Sequence, residues 1–195
     1  MTEKTRPERS YHHGNLRSAL IDAGLTALEQ SDTAEVSLRA IARDVGVSAN
    51  AAYRHFADKN ALLSALAAEG FRRFAAGQAQ AREAHADQIE ARTAAGRAYI
   101  GFAQNHPALF KLMFGHFLYA SASDELQQTA IRAFQGLIDS TAKEAGAAPD
   151  SEKALVTAIS RWSLVHGLSH LILEGQLKPF GPEIDRLIEG VLKLA

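Results

Sequence analysis

A chain of 195 residues and 21.0 kDa, 47% hydrophobic and 22% charged, is long enough to bury a core and ordinary in composition for a globular protein. Its formal net charge of −1 excludes a polyanion-binding surface spread over the whole chain, so any nucleic-acid surface must be local. The absence of cysteine excludes disulfides, thiolate metal sites and a cysteine nucleophile, and fits a reducing compartment.

The opening residues, MTEKTRPERSYHHG, are charged and hold no apolar core of a secretory signal. The uncharged stretches Leu112 to Ser123 and Trp162 to Leu173 are 12 residues each, too short to span a bilayer. A soluble cytoplasmic protein is expected. Alanine accounts for 37 residues, and no alternating apolar–polar run or Asn-Gly or Asp-Gly turn marks a strand or hairpin. The expected fold is all-α. Residues 1–14 read as a flexible basic arm: Lys4, Arg6, Arg9 and Arg17, with His12 and His13, gather at this end, either to lie along phosphate or as a solvated tail.

A first helix is predicted over Leu16–Gln30, where Leu16, Leu20, Ala23, Ala27 and Leu28 make an apolar stripe, and Ser31, Asp32 and Thr33 form the turn after it. Ser37 caps a short second helix that buries Leu38, Ile41, Ala42 and Val45 and stops at Gly46. Ser48 caps a third helix ending near Phe56, and Asp58 a long fourth. Two short helices joined by a glycine-containing turn describe a helix-turn-helix. On its third helix Ala52 and Phe56 face inward, while Asn50, Tyr53 and Arg54 share the opposite face. That face offers an amide suited to adenine, a guanidinium suited to guanine and a phenol for phosphate. The same pattern also fits a helical hairpin with a solvated polar face.

The run Ser37-Leu38-Arg39-Ala40-Ile41-Ala42, Val45-Gly46-Val47-Ser48, Ala52-Tyr53-Arg54-His55-Phe56 and Asp58-Lys59-Asn60-Ala61-Leu62-Leu63 resembles the DNA-binding domain of the TetR family of bacterial transcriptional regulators. The resemblance covers about Tyr11 to Leu66 and implies DNA contacts from Ser37, Arg39, Ser48, Tyr53, Arg54, His55 and Lys59, with Ala49, Asn50 and Ala51 at base-reading positions. Alanine at 49 and 51 supplies only a methyl contact, so specificity rests on Asn50, Arg39, Arg54 and DNA shape. The implied organisation is a helix-turn-helix domain over 15–58, a connecting long helix over 59–86 and an effector-binding and dimerisation domain over 87–195.

In that second half Ile89, Thr93, Gly96, Ile100 and Ala103 share a helix face, and Pro107 starts a helix buried nearly all round. Phenylalanines cluster between 102 and 134, as filled core or as a pocket wall. Phe102-Ala103, His106-Pro107, Leu112-Met113-Phe114 and Trp162 with His166-Gly167 are similar to the TetR subgroup with a Trp-His-Gly effector domain. The resemblance implies a small-molecule effector, with Phe102, His106, Phe110, Met113, Phe117, Trp162 and His166 as candidate ligand residues, whose hydrophobic and aromatic character suggests a largely apolar ligand. Over Ser151–Glu174, Leu155, Ile159, Trp162, His166 and Leu173 share one face and Val165, Leu168 and Ile172 another. The second face, with Ile184, Leu187, Ile188 and Val191 of the last helix, is the expected homodimer interface, as in the four-helix bundle of TetR-like dimers.

His166 and His170 are four apart, and His106 and His116 are further histidines, but no HExxH-type pattern or intervening carboxylate supports a metal site. No metal, cofactor or catalytic residue is expected. The leading reading is therefore a ligand-responsive homodimeric DNA-binding regulator, most simply a repressor on a palindromic operator. An enzyme using the helical interior would need a nucleophile triad or a phosphate-cradling glycine loop that the sequence does not hold. A regulator working through protein contacts alone is the remaining alternative.

Overall fold

A computed structural model of the chain describes residues 16–30, 35–115 and 122–194. Every regular element among them is helical. The arm at 1–14, the turn at 31–33, His116 and Phe117 lie outside the described residues. The chain divides into two compact units, Met1–Leu62 and Leu63–Ala195.

The first unit is built from α1 (Leu16–Gln30), α2 (Leu38–Val45), α3 (Ala49–Tyr53) and the first turn of α4 (Lys59–Glu83). Its boundaries come from local hydrogen bonding. A helix start leaves backbone N–H groups without partners, and a preceding serine or aspartate supplies an oxygen. Ser37 accepts from the Ala40 amide (3.5 Å), Ser48 from Ala51 (3.2 Å) and Asp58 from Ala61 (2.8 Å). Gly46 stops α2 at φ +82°, a left-handed conformation that a β-carbon disfavours, and there its amide and that of Val47 take up the last carbonyls. α3 ends at Tyr53, earlier than its sequence pattern suggests, because the His55 amide turns back to the Ala52 carbonyl (3.0 Å) and tightens the last turn. Leu20, Leu28, Leu38, Ile41, Ala52 and Phe56 close the core. Arg17, grouped with the arm by sequence, belongs to the first turn of α1, with its guanidinium over the Phe56 ring.

The second unit holds the rest of α4, then α5 (Gln88–Asn105), α6 (Pro107–Phe114), α7 (Asp124–Ala145), α8 (Glu152–Leu173), a 3-10 segment (Lys178–Glu183) and α9 (Ile184–Leu194). Asp87, Ser123 and Ser151 cap α5, α7 and α8. Pro107 takes the first position of α6, where its missing N–H costs nothing. α5 is the central element and packs on α6, α8 and α9. Gly96 leaves room there for Leu192 of α9, whose δ-carbon a β-carbon at 96 would approach to 2.8 Å. The α4 stretch expected as a connector carries core: Leu66, Phe71 and Phe74 are buried. Ile89, expected on the inner face of α5, is half-exposed, whereas Thr93, Gly96, Ile100 and Ala103 are buried.

Candidate functional site

Two places concentrate chemistry, one in each unit. In the first, the caps hold α3 so that Asn50, Tyr53 and Arg54 are exposed while Ala52 is fully buried. Ser37, Arg39, Ser48 and His55 are exposed beside them, and Ala49, Ala51 and Lys59 are half-buried. The alanines keep this face thin, and the exposed side chains combine hydrogen-bond donors and acceptors with positive charge. Such a helix face meets the size and chemistry of a major groove.

In the second unit, α4, α5, α6, α7, α8 and α9 line a partly open cavity of about 340 Å³. Its walls are aromatic. Phe74 meets Tyr99 (4.8 Å between ring centres), Phe71 meets Phe114 (5.3 Å) and Phe134 meets Trp162 (5.4 Å), in edge-on or tilted arrangements that aromatic rings favour. One polar chain crosses this wall: the Trp162 indole N–H donates to Tyr99 Oη (3.2 Å), which lies 2.8 Å from His166 Nδ1. Burial pushes the Tyr99 phenol far above its ordinary range, so it remains protonated and can donate to His166. Burial first, and then neighbouring His170, hold His166 below the usual imidazole value, which keeps it a neutral acceptor.

The cavity also carries charge. Glu144 of α7 pairs with Arg161 of α8 (2.9 Å) and Arg92 of α5 (3.3 Å), and Arg82 of α4 completes the group. Nε of Arg82 and Nε of Arg92 are buried without a hydrogen-bond partner among the described residues. Burial pulls Arg82 below the ordinary guanidinium value; Glu144 opposes this shift and Arg161 adds to it.

Of the residues expected to line a pocket, Trp162 does. Phe110 and Met113 are fully buried core, where they fill space, and His166 stands behind Tyr99. Phe102 packs on Phe74 (5.3 Å) and His106 is exposed. Val165, expected to face a partner chain, lines the cavity instead, while Leu168 and Ile172 are half-buried. The outward face of α8 runs through Val156, Ile159, Ser163, Gly167 and Leu171, with Val156 55% and Ile159 50% exposed. On α9, Leu187 is 49% exposed and Ile184, Ile188 and Val191 are half-buried. Sequence reasoning missed Arg82, Arg92, Glu144 and Arg161, which look like solvated helix charges until four helices bring them together. Among the described residues, no three histidine, aspartate or glutamate side chains are grouped to hold a metal ion, and no helix is long and apolar enough to cross a membrane.

Residues 20–66 match the family model of bacterial regulatory proteins, tetR family, and residues 92–194 match that of the tetracyclin repressor-like C-terminal domain. A solved protein of unknown function from Rhodococcus sp. RHA1 is 29% identical, with 96% of this chain and 94% of that one covered and a TM-score of 0.77. Two more distant structures share the fold. The TetR family transcriptional regulator PfmR from Thermus thermophilus is 19% identical over 90% of this chain and 97% of its own, at a TM-score of 0.60. The transcriptional regulator FadR from Bacillus subtilis, solved in complex with stearoyl-CoA, is 16% identical over 91% and 96%, at 0.63. No curated protein matches the chain.

Proposed function

We propose, from the premise that this chain belongs to the TetR family of bacterial transcriptional regulators, that it is a homodimeric repressor released from a palindromic operator by a small, largely apolar effector. It is a DNA-binding, ligand-responsive regulator and not an enzyme. The observation that carries the finer reading is the face of α3. Asn50 and Arg54 read base edges, Tyr53 and His55 hold the backbone, and Lys59, Ser37 and Ser48 sit where phosphates pass. Arg39 adds a base or phosphate contact, and Ala49 and Ala51 admit a thymine methyl.

The dimer forms through the outward stripe of Val156, Ile159, Ser163, Gly167 and Leu171 on α8 with Ile184, Leu187, Ile188 and Val191 on α9. Exposed apolar side chains on these two helices suit such burial, and serine and glycine between them on α8 allow close approach. Val165, Leu168 and Ile172 lie off this stripe. Dimerisation places two copies of α3 in successive major grooves, about 34–36 Å apart. An effector in the cavity that favours another spacing weakens DNA binding by its differential affinity for the two states. The regulator then works in the cytoplasm, where its operator lies.

Selection from random duplex DNA at near-physiological salt tests this, with an Asn50→Ala/Tyr53→Ala/Arg54→Ala control. Wild type enriches a palindrome and the control enriches none. Enrichment by both, or by neither when the protein is a folded dimer free of ligand by mass spectrometry, refutes the reading. Each good base contact is worth about 1–3 kcal/mol, so the control loses more than about a hundredfold in affinity for the selected site.

A further inference from the structure

The charge group beside the cavity is unbalanced. Of the described residues that line the cavity, three carry guanidinium groups, Arg82, Arg92 and Arg161, and one a carboxylate, Glu144. Glu144 accepts from both Arg92 and Arg161, and Arg161 also reaches the Thr141 hydroxyl (3.4 Å). Two buried Nε–H donors, on Arg82 and Arg92, find no acceptor among the described residues. Uncompensated positive charge and unmade hydrogen bonds are costly away from water, and an arginine fork matches the spacing of two oxygens on a carboxylate or phosphate. The remainder of the cavity is aromatic and suits an apolar body.

We infer that the effector is an amphiphile with an anionic oxygen head, a carboxylate or a phosphate monoester, seated on Arg82, Arg92 and Arg161 with its apolar part against Phe74, Phe134 and Trp162. This rests on the reading of the cavity as the effector site. A volume of about 340 Å³, at the small end of the usual range of about 300–1,000 Å³, suits a ligand of one ring system or a short chain. The head would tie together α4, α5 and α8, which supply one arginine each. Glu144 holds Arg92 and Arg161 in place and competes with the ligand for them.

Calorimetric titration of the full chain with hydrocinnamate, hydrocinnamyl phosphate and hydrocinnamyl alcohol tests the inference, because the three share a body and differ in the head. At least one anion binds tenfold or more tightly than the alcohol, and the tighter of the two identifies the head. Arg82→Gln and Arg92→Gln, each checked for an unchanged melting curve, bring the ratio towards one. Glu144→Gln removes the competing carboxylate and tightens anion binding severalfold without changing the alcohol, an outcome that also serves if an arginine variant fails to fold. Equal binding of alcohol and anions, a preference that survives in both folded arginine variants, or weaker anion binding by folded Glu144→Gln overturns the anionic head while leaving the cavity as an effector site. Binding of none of the three overturns both.

Discussion

The two units handle positive charge in opposite ways. In the first, Arg39 and Arg54 stand in solvent on short, alanine-thinned helices, where a polyanion can meet them with little desolvation. In the second, Arg82, Arg92 and Arg161 are withdrawn beside an aromatic cavity, where Arg92 and Arg161 share the Glu144 carboxylate. Exposed charges are screened by salt and act over an extended partner, whereas half-buried ones are screened far less and respond to a single group placed among them. On the proposed reading, the same residue type serves a long, uniform polyelectrolyte in one place and discriminates a small molecule in the other.

The contrast is sharpest in stability against binding. Phe110→Ala removes a fully buried ring that touches Tyr99, Phe114 and His166, and lowers unfolding stability by about 3–5 kcal/mol in a urea titration. The substitutions at Asn50, Tyr53 and Arg54 change stability by less than about 0.5 kcal/mol each, because these side chains are exposed. A large loss of stability from the exposed set would break the distinction between a reading face and a structural one.

Salt sharpens the comparison next. If the dimer neutralises about four phosphates, raising salt from about 50 to 200 mM weakens DNA binding by about a hundredfold. Hydrocinnamate binding at the buried arginines should weaken by no more than a few-fold over the same range. Parallel slopes in the two titrations would mean that the cavity arginines are as solvated as those of the reading face.

The smallest effect is on acidity. His166 titrates below its unfolded value, so the unfolded chain binds more protons between the two values. Stability is therefore full above about pH 6.5, the unfolded imidazole value, and falls as pH drops below it. Protonation also removes the Nδ1 acceptor that the Tyr99 hydroxyl faces. His166→Phe, compared with wild type by thermal melting between neutral and mildly acidic pH, should show a shallower acid decline.

The all-α fold and the TetR-like reading head were legible because their signals are local. Ser37, Gly46, Ser48 and Asp58 each act on a backbone group three or four residues away or on their own φ, and such chemistry can be read along a line. The cavity could not be read that way. Periodicity groups Phe102, Phe110 and Met113 as apolar, but it does not say whether a ring lines a space or fills it. It likewise leaves the rotation of α8 open: Val165 and Gly167 are two residues apart, yet one lines the cavity and the other faces out. The outward stripe is broken by Ser163 and Gly167, so no run of large apolar residues marks it. Arg82, Arg92, Glu144 and Arg161 come from four helices, and nothing in their neighbours along the chain marks them as one group.

The notch at Gly96 has a consequence for the order of events in folding. The contact it admits is with Leu192, so sealing the central helix closes a loop of 96 positions. Contacts in the first unit join neighbouring helices, α1 to α2 and α2 to α3, and form with little loop closure. Entropy of closure grows with loop length, and folding slows as contacts become more distant in sequence. During synthesis the first unit can assume its shape early, and α6 and α8 can cover their parts of α5, while the patch of α5 around Gly96 stays uncovered until α9 arrives.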